Sequence, residues 1–508
     1  MTHEVELKFR IPAHRLAALR RAVATRSARP LTLAARYMET PDGDLGRARV
    51  ALRLRQEGDG WVQTLKAEGR VALQRLEHNV PLPDEATPAL DIARHDGTEA
   101  GARLREVLAG ARQATLREHY ATAVQRTCRT VRHQGALIEL ALDEGEIRAG
   151  GLVLPVCEIE FELLQGEPAA LLGLAAAWAR RFELWLDVRS KSERGHALAH
   201  QAQQPGGSAA QAISRPARPR ALTLPGTLGP QAAAAAMLAE GLQQALANAS
   251  QIADGQWQPE HLHQLRVGLR RLRSVLRLHA ALLPGLEPAL ADAVAALFQR
   301  LGAARDRDVR AAWLWPVLHA AGGPAIAQPE PQVDALDLPA WLTSADTQQL
   351  WLRLLALTLP GAVLSAGAEA RAAGQGTAKA LRQALRPPLH SLLRQLRRDA
   401  RAFATLDDAA RHRLRRRIKR LRYAAELSAS LWPARRLQAL LDALQQAQRP
   451  LGVLNDAVVA AAHCRALAGG QPEAWFAVGW LAARHEAAVA ACSAPMAALA
   501  EVRSPWAD

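Results

Sequence analysis

Two short segments, Glu4-Val5-Glu6-Leu7-Lys8 near the start and Glu158-Ile159-Glu160-Phe161-Glu162 further on, alternate acidic with apolar residues. Side chains alternate faces along a β-strand. Glu4, Glu6 and Lys8 would then share one face, with Val5, Leu7 and Phe9 on the other. The second segment sets Glu158, Glu160 and Glu162 against Ile159, Phe161 and Leu163. Strands that bring such carboxylates together would repel and take up protons. A hard divalent cation removes the repulsion, and Mg²⁺ or Mn²⁺ favours oxygen ligands.

The same alternation recurs over 49–56, 61–67, 72–80, 121–132, 136–143 and 153–164, with helical periodicity near 12–26, 99–112 and 167–182. That pattern predicts an α+β domain with a largely antiparallel sheet. Arg53 and Arg55 share a face, as do Thr64 and Lys66, Arg75 and Glu77, and Glu139 and Asp143. Arg126 sits mid-strand, and Ser190-Lys191-Ser192-Glu193-Arg194 reads as a short loop. One such strand is explained by a solvated sheet face. Seven, with Glu and Arg in tight pairs, fit better a sheet curled into a barrel with a charged lumen and helices outside. Arg forks and Lys bind phosphate oxygens. An acidic wall would bind metal, and positioning plus charge neutralisation is what phosphoryl transfer requires. A second metal could activate the attacking water.

With 508 residues the chain is expected to hold two or more domains. Its net charge of +15 is uneven: +2 over residues 1–200 and +13 over 201–508. The second half therefore expects a polyanion: nucleic acid, an anionic membrane or polyphosphate. No apolar run approaches the ~20 residues of a membrane span, and no signal-peptide core is evident. Four scattered cysteines suggest no disulfide framework and a reducing cytoplasm.

Composition shifts over residues 201–228, a Pro/Ala/Gly-rich stretch read as a linker between a first domain (1–200) and a helical one (229–508). The helical half repeats itself, over about 229–325 and 345–500. His263-x-x-Arg266-x-x-x-Arg270-x-x-Arg273 matches His412-x-x-Arg415-x-x-x-Lys419-x-x-Arg422. Leu301-Gly302-x-x-Arg305-Asp306 likewise matches Leu451-Gly452-x-x-Asn455-Asp456. Two pseudo-symmetric helical bundles are the expected all-α arrangement. On a helix each spacing forms one basic stripe. A solvated face, or a core histidine satisfied by Asp306 or Asp456, would explain one copy, whereas duplication favours two stripes brought together. Arg271, Arg420 and Tyr423 are expected to flank them. Two histidines make a thin metal site. With little aromatic interleaving, specific nucleic-acid binding is not expected.

Residues 1–200 resemble the CYTH family, the triphosphate tunnel metalloenzymes. The likeness runs in order through Glu4-x-Glu6-x-Lys8, Tyr37-Met-Glu-Thr40, Arg53-x-Arg55, Lys66, Arg75-x-Glu77, Arg126, Glu139 to Asp143, Glu158-x-Glu160 and Ser190 to Arg194. It implies an eight-stranded antiparallel tunnel with flanking helices, acting on triphosphates with Mg²⁺ or Mn²⁺. Glu4, Glu6, Glu158, Glu160 and Asp143 would be metal ligands. Lys8, Arg53, Arg55, Lys66, Arg75, Arg126 and Lys191 would hold phosphate. Lys191, with Glu4 and Glu6, would serve catalysis. Glu39 stands where the family often has Asp. Arg129 competes with Arg126, which alignment on the preceding Tyr-Ala-Thr favours.

Residues of about 225–500 resemble the CHAD domain, which implies inorganic polyphosphate binding through His263, Arg266, Arg270, Arg273, His412, Arg415, Lys419 and Arg422. Together these likenesses imply an inorganic triphosphatase, as in bacterial CYTH–CHAD proteins, that converts tripolyphosphate to pyrophosphate and phosphate. It would be cytoplasmic, associating with polyphosphate granules, without a membrane partner. A class IV-type adenylate cyclase, a thiamine triphosphatase and a non-catalytic polyphosphate binder are the alternatives.

Overall fold

The computed structural model describes residues 5–68, 75–83, 88–327, 337–359 and 378–506, with backbone alone for Glu68, Arg75 and 303–312. It divides into two compact units. The first comprises Met1–Ala217, Gln244–Leu265 and Asp337–Ala362; the second comprises Arg218–Gln243, Arg266–Leu336 and Val363–Asp508.

Among the described residues the first unit is built on nine strands: β1 (Glu6–Arg10), β2 (Arg29–Glu39), β3 (Val50–Glu57), β4 (Gly60–Glu68), β5 (Arg75–Leu82), β6 (Arg117–His133), β7 (Ala136–Ala149), β8 (Leu152–Gln165) and β9 (Trp185–Leu186). They form one sheet in the order β5-β4-β3-β2-β6-β7-β8-β1-β9, every pairing antiparallel. Within the described residues the alternating segments become strands, as expected; Glu4 and residues 72–74 of those segments lie outside them. The ninth strand is a two-residue addition that pairs Trp185 and Leu186 with Arg10 and Phe9. Strand β2 was not anticipated, because Pro30 opens it and small alanines blur its alternation.

Register puts the charged residues on one face. One rung runs Arg10–Glu158–Asp143–Arg126, the next Lys8–Glu160–Ala141, and the next Glu6–Glu162–Glu139. On the far side of β2, Tyr37, Arg53 and Thr64 share a rung. Edge strands β5 and β9 are not paired to each other among the described residues, so hydrogen bonding does not close the sheet. It is nevertheless strongly curled: the charge of Lys66 on β4 partly offsets the rise that burial, Glu6 and Glu139 cause in the Glu162 pKa on β8, five strand positions away. In a flat sheet those strands would lie about 24 Å apart, too far for such influence through screened water.

The other face is apolar and carries helices α1 (Ala13–Val23), α2 (Asp44–Arg47), α3 (Glu99–Ala109) and α4 (Pro168–Phe182). Phe161 is fully buried and meets Phe9 and Trp178 edge-on, with centroids 5.6 Å and 5.7 Å away. Leu52 and Leu65 pack against Leu45 and Leu104 at the other end. Helix α5 (Lys191–Ala202) instead lies on the charged face. Its close approach needs Gly195, where a Cβ would come within 2.3 Å of the Tyr120 ring.

The C-terminal half is helical: α6 (Pro230–Ala253), α7 (Pro259–Leu278), α8 (Pro288–Ala320), α9 (Leu338–Thr343), α10 (Ala345–Ala356), α11 (Ala378–Arg401), α12 (Asp408–Leu427), α13 (Ala434–Ala468) and α14 (Ala474–Glu501). The repeated motifs correspond to repeated elements. Helices of 24 and 20 residues, a short 3₁₀ turn and a helix of 33 residues recur as helices of 24 and 20, a turn and 35. Helix α13 has a window of mean hydropathy 1.2, apolar and long enough to match a membrane span by composition. Its Leu437, Leu444, Leu451 and Cys464 are buried in the protein.

Candidate functional site

At the centre of the charged face, Asp143, Glu158 and Glu160 bring carboxylate oxygens within 4.8 Å of one another. The ammonium of Lys191, first residue of α5, stands among them at 2.6 Å from Asp143, 2.5 Å from Glu158 and 2.8 Å from Glu160. Arg126 closes the group, donating to both Asp143 oxygens at 2.6 Å and to Glu160. Arg194, one turn along α5, donates to Glu158. Asp143 and Glu158 are sealed from solvent.

Burial alone would raise the acid pKa values here. The charges of Lys191, Arg194 and Lys8 overcome it at Glu158, which falls well below the ordinary carboxylate range. Lys191 and Arg126 likewise hold Glu160 at about 2. Burial would lower Lys191, and the three carboxylates raise it instead. Lys8 differs: burial and neighbouring Arg194 pull it down, and its ammonium donates to the carbonyl of Arg189.

Three oxygen-only donor groups, already gathered around one cation, fit a hard divalent metal. Among the described residues this triad is the group that could hold one. Glu6 lies one rung away with Glu162 and Glu139. There burial, Glu6 and Glu139 raise the Glu162 pKa, a second acidic group. Glu4 lies outside the described residues.

The basic wall follows β3 and β4. Arg53 donates to the Tyr37 hydroxyl at 2.9 Å, and Tyr37 stacks on Tyr120 with centroids 4.6 Å apart. Burial would raise the Tyr37 pKa, and Arg53 draws it below its ordinary value. Arg55 pairs with Glu57, and Lys66 with Glu77 at 2.7 Å. Of Arg75 only the backbone is described. Arg126 is on the site face, whereas Arg129 donates to the carbonyl of Ala22 on the outer face. Glu39 is turned away: its carboxylate accepts the amides of Thr40, Leu45 and Gly46 and caps α2.

The basic stripes of the second unit face each other. Arg270 on α7 lies near Lys419 on α12, and Arg273 near Arg416. Burial and the cations Arg270, Arg415 and Arg422 push Lys419 down to about 6. Burial with Arg277, Arg273, Arg416 and Arg417 lowers Arg420 to about 10. Phe298 on α8 collects Arg266, Arg270 and Arg273 around its ring, at 4.4, 5.3 and 4.9 Å. His412 is exposed and bonded to Asn455, and Arg415 lies 3.8 Å from Asp456. His263, half-buried, heads the other stripe, and the side chains of Arg305 and Asp306 lie outside the described residues.

Two expected flanking contacts are corrected. Arg271 is buried against Glu240 and the carbonyl of Arg220, because its position on α7 faces the core. Tyr423 is buried for the same reason on α12, with Arg422 over its ring.

A family model for the CYTH domain matches residues 2–195, and one for the CHAD domain matches residues 236–465. The chain carries a CYTH domain followed by a CHAD domain. It is 32% identical over 165 residues to the inorganic triphosphatase of Haemophilus influenzae, covering 32% of this chain and 44% of that protein, less than half its length. The solved CHAD domain of Ricinus communis is 32% identical, covering 57% of this chain and 98% of its own, at a TM-score of 0.39. A solved Hippeastrum protein, an adenylyl cyclase candidate reported with a dominant triphosphatase activity, is 17% identical. It covers 39% of this chain and 96% of its own at a TM-score of 0.30.

Sequence reasoning missed Arg194, Tyr37 and Phe298 as members of these groups. It also took the start of α5 for a loop, although Ser190-x-x-Glu193 spells a capping box. In the CYTH domain Ser190 Oγ accepts the Glu193 amide at 3.0 Å and Glu193 accepts the Ser190 amide at 2.9 Å, which fixes where Lys191 begins.

Proposed function

We propose that the CYTH domain is a metal-dependent inorganic triphosphatase, converting tripolyphosphate to pyrophosphate and phosphate. The observation that carries this is the Lys191 ammonium inside the Asp143–Glu158–Glu160 triangle, on a sheet whose strands β3 and β4 carry Arg53, Arg55 and Lys66. The triangle, with Glu6 on the neighbouring strand β1 and with Glu4 on the strength of the sequence motif, would hold Mg²⁺ or Mn²⁺. When bound, such a cation supplies Lewis-acid neutralisation of phosphate oxygens.

The chain's own residues supply the rest. Arg53, Arg55, Lys66 and Arg126, with Lys8, orient the three phosphoryl groups through charge-assisted hydrogen bonds. Lys191, at the start of α5, would reach a phosphate oxygen and stabilise charge on the leaving group. The concentration of Arg and Lys side chains on this face supports an inorganic chain over a nucleotide.

For the CHAD domain we propose polyphosphate binding across the opposed stripes, centred on Arg270, Arg273, Lys419 and Arg422. Mutual repulsion among these cations is relieved by a polyanion. Such binding would raise the local concentration of substrate at the tunnel.

The deciding experiment is phosphate release by the full chain with Mg²⁺ and with Mn²⁺, on tripolyphosphate, ATP, thiamine triphosphate and long-chain polyphosphate. Preference for tripolyphosphate is expected. Cyclic AMP from ATP, or preference for thiamine triphosphate, would overturn the substrate assignment. Absence of turnover on all four would overturn the enzyme reading.

A further inference from the structure

Lys191 is delivered to the carboxylates by a strap, Leu186–Ser190, between β9 and α5. The tunnel holds this strap from one side: the Asp187 amide donates to the Lys8 carbonyl at 3.0 Å, and the Lys8 ammonium donates to the Arg189 carbonyl. Its other partners lie 62 to 162 residues further along the chain, within the first unit. Ser250 Oγ accepts the Val188 amide at 3.2 Å and donates to the Leu186 carbonyl at 3.3 Å. Gln348 Oε1 accepts the Leu186 amide at 2.8 Å, and its amide nitrogen is fixed by the Leu342 carbonyl at 2.6 Å.

Arg189 is the pivot. Its Nε and Nη2 bond to Asp187, its Nη1 to Gln251 at 3.0 Å, and its Nη2 also to Asp254 at 3.0 Å. Asp254 in turn lies 3.7 Å from Arg10 of β1. Asp187, Arg189, Ser250, Gln251 and Gln348 are all buried. Buried backbone and guanidinium groups must find partners within the protein. These bonds therefore fix the strap's path, and with it the start of α5, where a displacement of about 1 Å matters to catalysis.

We propose that Ser250, Gln251, Asp254 and Gln348 are positioning residues for Lys191, acting through the strap, so that the tunnel site is completed by side chains lying beyond the CYTH domain. This rests on the reading of Lys191 as part of the triphosphate site. The C-terminal half is on this account a structural part of the enzyme as well as a tether.

The test uses the full chain with Asp254→Ala, Gln348→Ala and the conservative Asp254→Glu. Three readouts are taken: amide exchange, the rate at which an amine-reactive reagent labels Lys191, and tripolyphosphate kinetics. Both alanine variants should speed exchange at Leu186 and Val188 about tenfold while β7 and β8 stay protected. Lys191 labelling should rise by a similar factor. kcat should fall about tenfold with KM unchanged, and Asp254→Glu should recover most of it. Unchanged exchange and labelling would overturn the proposal, as would a loosened strap with wild-type kcat. If the wild-type chain hydrolyses no triphosphate, the function reading fails alone, and exchange and labelling still decide the clamp. Should Gln348→Ala not fold, the partly exposed Asp254 decides by itself.

Discussion

Lys191 Nζ and Glu158 Oε1 stand 2.5 Å apart at the centre of the tunnel face, a buried pair within a cluster of three carboxylates and three cations. Breaking a buried pair by removing one partner costs more than the pair itself contributes, because a charge is left uncompensated. Lys191→Ala should therefore destabilise the chelator-treated protein by about 3 kcal/mol. Mg²⁺ or Mn²⁺ should restore more stability in the variant than in the wild type, since the vacated carboxylates then take a metal without displacing an ammonium. Denaturant unfolding with and without metal measures both. A variant that gains no more from metal than the wild type would remove the triangle as the metal site.

Glu160 is tied to both Lys191 and Arg126. Glu160→Gln keeps the shape and removes the charge. Metal-dependent turnover should fall at least about 100-fold, with the fold retained as judged by circular dichroism. Unchanged turnover at saturating metal would refute the metal assignment.

The sheet was legible in the sequence because its charged and apolar residues alternate at period two over most strands. Alternation alone put Asp143 on the charged side of its strand and Glu158 and Glu160 together on theirs, whereas Arg126 was preferred over Arg129 by the family likeness. What alternation cannot give is curl, register between distant strands, or what approaches the face from elsewhere. Arg194 and the start of α5 escaped because Ser190-Lys-Ser-Glu193 is short and sits beside a Pro-rich stretch. Strand β2 escaped because Ala34 and Ala35 carry little hydrophobic contrast. In the CHAD domain the stripe spacing identified the basic face, but Arg271 and Tyr423 lie a residue off it, where a helix turns by about 100°. The strap contacts were illegible for a simpler reason: Ser250, Gln251 and Gln348 are ordinary helix residues until a partner far along the chain is known.

Gly302 and Gly452, equivalent in the two repeats, lie beside equivalent arginines. A Cβ at Gly302 would come within 3.2 Å of Arg266 Nη1, and one at Gly452 within 3.6 Å of Arg415 Nη2. The first is tighter than ordinary contact and the second is not. Arg266 is also pinned by the Phe298 carbonyl at 3.0 Å, so it has little room to yield. Gly302→Ala should weaken polyphosphate binding and lower the melting temperature more than Gly452→Ala does. In the latter a gain of helix propensity, up to about 1 kcal/mol, offsets the contact. Binding titrations and thermal melts on the full chain give the order, and the reverse order would contradict the geometry.

Arg270 and Arg273 share the Phe298 ring and face the second stripe. Arg266 is more buried and bonded to backbone, so its replacement would confuse binding with folding. The double change Arg270→Gln with Arg273→Gln should weaken polyphosphate binding and flatten its salt dependence by about 1.5 in log–log slope, the equivalent of two released counterions. Turnover at saturating tripolyphosphate should be unaffected. A salt slope that stays at the wild-type value would place the polyanion elsewhere.

Lys419 is faced by Arg270 from α7, by Arg415 and Arg422 from its own helix, and by Asp456 from α13. Burial and the three arginines outweigh Asp456 and bring its pKa to about 6, against about 10.4 for a free lysine. Between those values the unfolded chain holds a proton that the folded chain lacks, so stability rises with pH through that window and the penalty is greatest below pH 6. A bound polyanion reverses the balance and favours the charged amine. Polyphosphate binding should therefore take up a proton near pH 7, and affinity should climb as pH falls from 8 to 6, by at most about tenfold per pH unit for one proton. Lys419→Arg stays charged throughout and should bind without that proton uptake. Calorimetry in two buffers of different ionisation enthalpy measures the difference between the two proteins, which cancels the titration of the ligand's terminal phosphates. Equal uptake by both would remove Lys419 from the binding face.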